Sequence, residues 1–392
     1  MKKFLAMLLA LVMALSLVAC GKTENPPTGD DGNKDADTTA KVKVGFITLH
    51  DENSTYDKNF IDAAKEAIAN LGLTDADYIL KTNVPEGQEC YEAAVDMVDK
   101  GCNIIFADSF GHEPFMIQAA QEYPNVQFCH STGTRAHTEG LKNYHNAFAS
   151  IYEGRYLAGI AAGLKLNEMI DAGKFTADEA LVGYVGAFTY AEVVSGYTSF
   201  FLGVRSVCPT ATMKVTFTGS WYDEALEKEG AQKLIDLGCK LISQHADSMG
   251  APTACENAGV PNVSYNGSTK DACPNTFIVS SRIDWAPYYE YAIKAVMDGT
   301  EIPADWTGTL KTGSVVLTDV NETVAAAGTA DAIKEAAAKL EAGEIHVFDC
   351  STFTTKADDT MNAFKVDYLK VDADGHITSY MADVDTDQAY TG

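Results

Sequence analysis

A chain of 392 residues with 46% apolar and 21% charged side chains has the make-up of a globular protein, long enough for more than one core. Its 55 acidic against 29 basic side chains give a formal net charge of −26, which speaks against polyanionic partners such as nucleic acid or an anionic lipid surface. Composition excludes little else, because an acidic surface is also a soluble one.

Met1-Lys2-Lys3 followed by an apolar run over residues 4–18 has the length of a signal-peptide core and is short for a membrane span. The run ends in LVACG, with Leu17 and Ala19 ahead of Cys20, the pattern of a bacterial lipoprotein signal. Residues 1–19 are therefore expected to be removed and Cys20 to carry the lipid. Residues 20–41, rich in Gly, Pro, Asp, Asn and Thr, offer no apolar anchor and read as a flexible tether. About twenty coil residues hold the folded part roughly 25 Å from the lipid.

VKVGFITL (42–49) reads as a buried strand, and Phe60, Ala64, Ile68 and Leu71 recur at helical spacing. ADYILKT is a second strand; a helix through Cys90, Ala94 and Met97 ends at Gly101; NIIFADS is a third strand. A helix opened by Pro114, the strand VQFC and a long helical run, SIYEGRYLAGIAAG, follow. The alternation restarts at LVGYVGAF, continues through a helix over 193–204, the strand MKVTFTG, a helix over 225–237 and the strand CKLISQH. GCNIIFADSFGHEP and GCKLISQHADSMGAP share Gly-Cys, an apolar strand, Asp-Ser and a following Gly and Pro, so the two halves read as similarly built lobes. TFIVSSRID, a helix over 285–298, a strand-like stretch over 307–320 and a helix over 325–342 weave between them, and the last forty residues alternate short strands and turns. The expected fold class is α/β: two doubly wound lobes, 42–150 and 151–275, with a ligand cleft between them, and 276–392 supplying hinge crossovers and elements that complete both.

In open α/β sheets, ligands sit at the carboxyl ends of strands where the strand order reverses. The residues expected there mix aromatics with short polar groups: His50 to Asn53 and Tyr56; Asp108 to His112; His130 to Gly133; Gly219 to Asp223; Gln244 to Ser248; Asn266 to Ser268; Asp284 and Trp285. Tyr56, Phe110, Trp221 and Trp285 offer stacking faces, and Asp and Asn offer donors and acceptors to the edge of a planar heterocycle. Helix caps and core packing explain each residue taken singly. Four histidines near strand ends, His50, His112, His130 and His245, leave a metal or acid–base centre conceivable. Yet HExxH, GxSxG, GxxxxGK[ST] and a post-strand GxGxxG are all absent from the sequence, so neither catalysis nor a cofactor or metal is expected. The eight cysteines besides Cys20 are scattered, several in apolar runs, and read as buried thiols with no bridge assigned.

The lipoprotein signal, NVPEGQECYEAAVDMVDKGCNIIFADSFGHEP, the HSTGT turn, NAFASIYEGRYLAGIAAGL, VGYVGAF, SWYDEALEKEGAQKLIDLGCKLISQHADS and IDWAPYY together resemble the basic membrane lipoprotein family. Its members are solute-binding proteins of ABC importers, related to bacterial purine-nucleoside receptors. The resemblance covers most of residues 42–300 and weakens beyond 310. It implies a type I periplasmic-binding-protein fold, lobes that close on a purine base or nucleoside, permease and ATPase subunits as partners, and a monomer lipid-anchored on the extracytoplasmic face. Carried over, Tyr56, Phe110 and Trp221 match aromatic positions around the ring, and Asp247, Ser248 and Trp285 match cleft residues. Asn266 stands where relatives usually place an aspartate, and its amide donates as well as accepts. A sugar or other small-solute binder, a ligand-sensor subunit and, at the far end, an enzyme are the alternatives.

Overall fold

Runs such as VGFI and IIFA carry apolar side chains on both faces, which suits strands covered by helices on two sides. The computed structural model describes residues 42–349. The expected signal segment, Cys20 and its lipid, the tether, Cys350 and the strands and turns expected after it lie outside the described residues.

The first lobe opens with β1 (Val44–Ile47), α1 (Thr55–Asn70), β2 (Tyr78–Lys81), α2 (Gln88–Asp99), β3 (Ile104–Ala107), α3 (Glu113–Glu122) and β4 (Gln127–Ser131). A single helical turn, α4 (Ala136–Glu139), leads to β5 (Tyr144–Ala149). The second lobe runs through α5 (Ile151–Asp171), β6 (Leu181–Gly186), α6 (Ala191–Val207), β7 (Thr212–Phe217), α7 (Glu224–Asp236), β8 (Leu241–His245), α8 (Gly250–Ala258), β9 (Asn262–Tyr265) and β10 (Phe277–Ile283). The chain then returns to the first lobe with α9 (Ala286–Asp298) and β11 (Asp305–Gly308), and ends its described part with β12 (Val315–Leu317) and α10 (Thr329–Glu341) in the second.

The sheets are ordered β11-β5-β4-β3-β1-β2 and β12-β10-β9-β8-β6-β7. All pairings are parallel except β10 with β12. Each order reverses beside its first strand, between β1 and β3 and between β6 and β8, as doubly wound lobes require. Both faces of each sheet are covered. Phe46, Phe60, Phe106 and Tyr289 fill one side of the first sheet, and Met97, Met116 and Phe128 the other. Tyr184, Phe200 and Val204 lie on one side of the second, and Ala231, Leu234 and Ala251 on the other.

The sequence repeat has a structural counterpart: its two copies are β3 and β8, which hold the same place in the two sheets. The likeness extends one strand further. Thr132 after β4 and Asn266 after β9 both adopt left-handed backbone, with φ of 68° and 64°. Their N–H groups bond the neighbouring strands alike, Thr132 to Ala147 O and Asn266 to Ser281 O, each at 2.8 Å.

Two elements differ from expectation. YHNAFA forms β5 although His145 and Asn146 break its apolar run, because both are bonded: His145 reaches Pro303 O and the Gln127 side chain, and Asn146 Oδ1 accepts from Ala136 N. The strand-like stretch 307–320 splits into β11 and β12, which join different sheets, so the turn between them is a lobe crossover. The seven described cysteines are buried free thiols.

Helix α5 crosses α6 at backbone contact. A Cβ on Gly159 would lie 2.1 Å from Phe200 O, and one on Gly203 2.0 Å from Tyr156 O. Gly203→Ala must push the helices apart, and it is expected to cost about 1–3 kcal/mol, read as a lower urea midpoint.

Candidate functional site

The carboxyl ends of both sheets border one cavity of about 340 Å³ between the lobes. Nearly every inner strand contributes. From the first lobe come Leu49 and His50 after β1, Tyr56 and Asp57 on α1, Ser109 and Phe110 after β3, Thr132 after β4 and Phe148 on β5. From the second come Thr189 to Glu192 after β6, Trp221 after β7, His245 and Asp247 at the end of β8, and Tyr265 closing β9. The volume falls in the range of small-molecule sites.

Aromatic rings supply much of the wall. Phe110 is 42% exposed and reaches Tyr190 across the cleft, ring centroids 5.5 Å apart. Tyr190 in turn lies 5.8 Å from Trp221, and Phe188 packs against both. Tyr56 is steadied by donating its hydroxyl to Asp108 O at 2.7 Å. The turn that carries Phe110 is held from outside: Glu86 accepts from Ser109 Oγ and from Gly111 N. His112 and His130 bond Val84 O and Ser109 O at 2.9 and 2.7 Å, bracing the same turn. Burial above all pushes the His130 imidazole down to about 4, which keeps it neutral as a donor to that carbonyl.

The lobes touch at the cavity rim. Thr55 N–H, at the start of α1, donates to Asp247 O at 3.0 Å; Asn59 Nδ2 donates to Asn266 Oδ1 at 3.3 Å; His50 and Tyr222 rings lie 5.3 Å apart. The arrangement is that of two lobes drawn together.

Carboxyl groups dominate the electrostatics. Burial opposes ionisation of Asp57, but its hydrogen bonds from His50 Nδ1 (3.3 Å), Ser54 Oγ (2.6 Å) and His50 N (2.8 Å) outweigh it and hold the group below its ordinary range. Asp108 is pushed well up by burial and then by the charge and hydrogen bond of Asp57, so of this pair Asp108 keeps the proton. Asp247 is likewise driven up by burial first, then by the charges of Glu227, Asp57 and Glu192. On the second-lobe wall Glu192 Oε1 faces His245 Nε2 at 3.1 Å and accepts from Tyr265 OH at 3.4 Å. Among the described residues no group of three or more His, Cys, Asp or Glu assembles as a metal-ligand set.

Of the residues expected from sequence, His50, Tyr56, Ser109, Phe110, Thr132, Trp221, His245 and Asp247 line the cavity. Ser248 and Asn266 stand behind it. Ser248 N donates to the Glu227 carboxylate and its hydroxyl accepts from Gly250 N, while Asn266 Nδ2 donates to Asp247 Oδ1 at 3.4 Å. Trp285 is the correction. It is fully buried in the first-lobe core, stacked on Phe60 at 4.7 Å, because the chain leaves β10 to cross into that lobe and the ring enters the seam between α9 and α1. Its neighbour Asp284 accepts from Ala286 N at the start of α9. Sequence reasoning missed the β6 end altogether, Thr189 to Glu192, together with Phe148 and Tyr265. The signal was available: LVGYVGAF restarts the fold, so the loop after it stands where the His50 loop stands in the first half.

Comparison with known proteins agrees with this architecture. Two solved structures, solute-binding proteins of ABC transporter systems from Aeropyrum pernix K1 and Conexibacter woesei, superpose with TM-scores of 0.66 and 0.62. They cover 82% and 78% of this chain and 96% and 98% of their own, at 18% and 19% identity, which is a likeness of fold: the type I periplasmic-binding-protein architecture. A purine-binding protein of Brucella abortus is 33% identical over 263 residues, 66% of this chain and 70% of that one. A putative ABC transporter glucose-binding protein of Haloferax volcanii is 35% identical over 216 residues, 55% of this chain and 51% of its own length. With residues 43–348 matching the family model described as Bmp, the chain belongs to the PnrA-like substrate-binding proteins of ABC transporters.

Proposed function

We propose that the protein is an extracytoplasmic solute-binding lipoprotein of an ABC importer, held at the membrane through Cys20, that captures a purine base or purine nucleoside by closure of its two lobes. The observation that carries this reading is the inter-lobe cavity walled by Tyr56, Phe110, Tyr190 and Trp221 from opposite lobes, with carboxyl groups between them. Facing aromatic rings suit a flat heterocycle, and carboxyls suit its N–H edge. Because both lobes contribute walls, a ligand favours the closed form by its differential affinity for it, and that form is what permease and ATPase subunits would recognise. The purine-binding relative supports the same ligand class. Capture and release need no bond-making, so the protein acts as a binder without turnover.

The relative named as glucose-binding keeps a sugar as the second reading. Titration calorimetry of the unfolded-and-refolded full chain against adenine, guanine, hypoxanthine, adenosine, guanosine, inosine, ribose and glucose separates the two. Binding of a base or nucleoside, with ribose and glucose silent, is the expected result; binding of a sugar alone overturns the purine reading. In the binding form, Trp221→Ala is expected to weaken purine affinity by roughly 5- to 150-fold, corresponding to about 1–3 kcal/mol of ring stacking.

A further inference from the structure

We propose that Glu192 sets the charge class of the ligand, so that the cavity takes neutral or cationic N–H-bearing heterocycles and rejects anionic ones. The proposal rests on the purine reading of the same site.

Glu192 sits in the first turn of α6, where the helix N-terminus favours a carboxylate. One of its oxygens is engaged by His245 Nε2 and Tyr265 OH, which fixes the group against the wall. Among the described residues that line the cavity there is no Lys or Arg to receive an anion. The cation Arg155 is fully buried behind Tyr265, 5.5 Å from that ring, and does not line the cavity. Its two terminal nitrogens are bonded to four strands, Tyr184 OH at 3.0 Å, Ser243 Oγ at 2.7 Å, Ser264 O at 3.1 Å and Ser281 Oγ at 3.3 Å, while its Nε has no hydrogen-bond partner among the described residues. Asp57, the other carboxylate on the wall, already accepts from His50 and Ser54, which leaves Glu192 as the acceptor with capacity to spare.

Asp247 lines the same cavity; burial first, and then the charges of its acidic neighbours, Glu192 among them, drive its carboxyl toward the neutral form. A ligand bringing a negative charge to that place meets the same opposition, whereas a ring N–H meets an acceptor.

The test is a cycle of ligand charge against residue charge at about neutral pH, in the full chain, where adenine and hypoxanthine are neutral and urate is a monoanion. The native protein is expected to bind urate at least about tenfold more weakly than the better neutral purine. Glu192→Gln is expected to narrow that ratio by about tenfold, and Glu192→Asp, which keeps the charge, to preserve it. A merely structural role for Glu192 would lower both affinities together and leave the ratio alone. Urate binding as tightly as the neutral purines, or a ratio unmoved by Glu192→Gln in a variant that still binds hypoxanthine, overturns the charge assignment and leaves the purine reading standing. No binding by any purine to the native protein removes both.

Discussion

Trp285→Ala is expected to lower the stability of the protein by about 3–5 kcal/mol while leaving the ligand affinity of the folded fraction unchanged. The indole is 0% exposed and lies nearly parallel to Phe60, 20° between planes, in the core that also holds Phe46, Phe106 and Tyr289. Removing it opens a cavity that the surrounding rings cannot close, since Phe46, Phe106 and Tyr289 are already fixed on one another at 4.6–5.3 Å. Trp285→Phe keeps an aromatic partner for Phe60 and is expected to cost distinctly less. Urea unfolding gives the stability and calorimetry the affinity. A variant of native stability with weakened purine binding would return Trp285 to the cleft, where sequence alone had placed it.

The second large effect is a dependence on pH. Burial raises the Glu227 carboxyl from its ordinary 4.5 to about 7, against hydrogen bonds from the Ser248 side chain and from Asp223 N and Ser248 N. The native state therefore holds a proton that the unfolded chain has released, and the stability this contributes is complete below about pH 4.5 and lost as pH rises toward and through 7. The loss amounts to at most about 3 kcal/mol. Glu227→Gln keeps an acceptor for the same N–H groups and carries no titrating proton. It is expected to match the native protein near pH 4 and to exceed it in stability at about pH 8. Unfolding curves measured across that range for both proteins check this, and parallel pH profiles would refute it. The carboxyl lies on α7 and holds Ser248 N, next to the Asp247 carbonyl that receives Thr55 N–H from the other lobe. Titration of Glu227 thus bears on the rim contact that draws the lobes together.

Phe110 and Trp221 reach the cavity because each follows a strand that both periodicity and turn signals make plain, and the topology of such sheets carries those ends to the cleft. Trp285 also follows a strand, β10, and by local pattern is indistinguishable from them. What separates it is a crossover: the chain after β10 passes to the other lobe, and only the packing of α9 on α1 turns that ring inward. β5 was hidden for a related reason, since His145 and Asn146 look like loop residues until Gln127, Pro303 and Ala136 are seen to bond them.

The amino-acid sequence by itself determined the alternation of strand and helix, the repeat that makes two lobes, and eight of the side chains on the cavity wall. All of these depend on local periodicity and on what immediately follows a strand. Tertiary structure alone decided which lobe each late element joins, that Ser248 and Asn266 stand behind the wall, and that Glu192 meets His245 and Tyr265. The Glu192 contacts join residues 53 and 73 positions apart, and a pairing over such a distance is fixed by how sheets and helices pack, which no window of sequence contains.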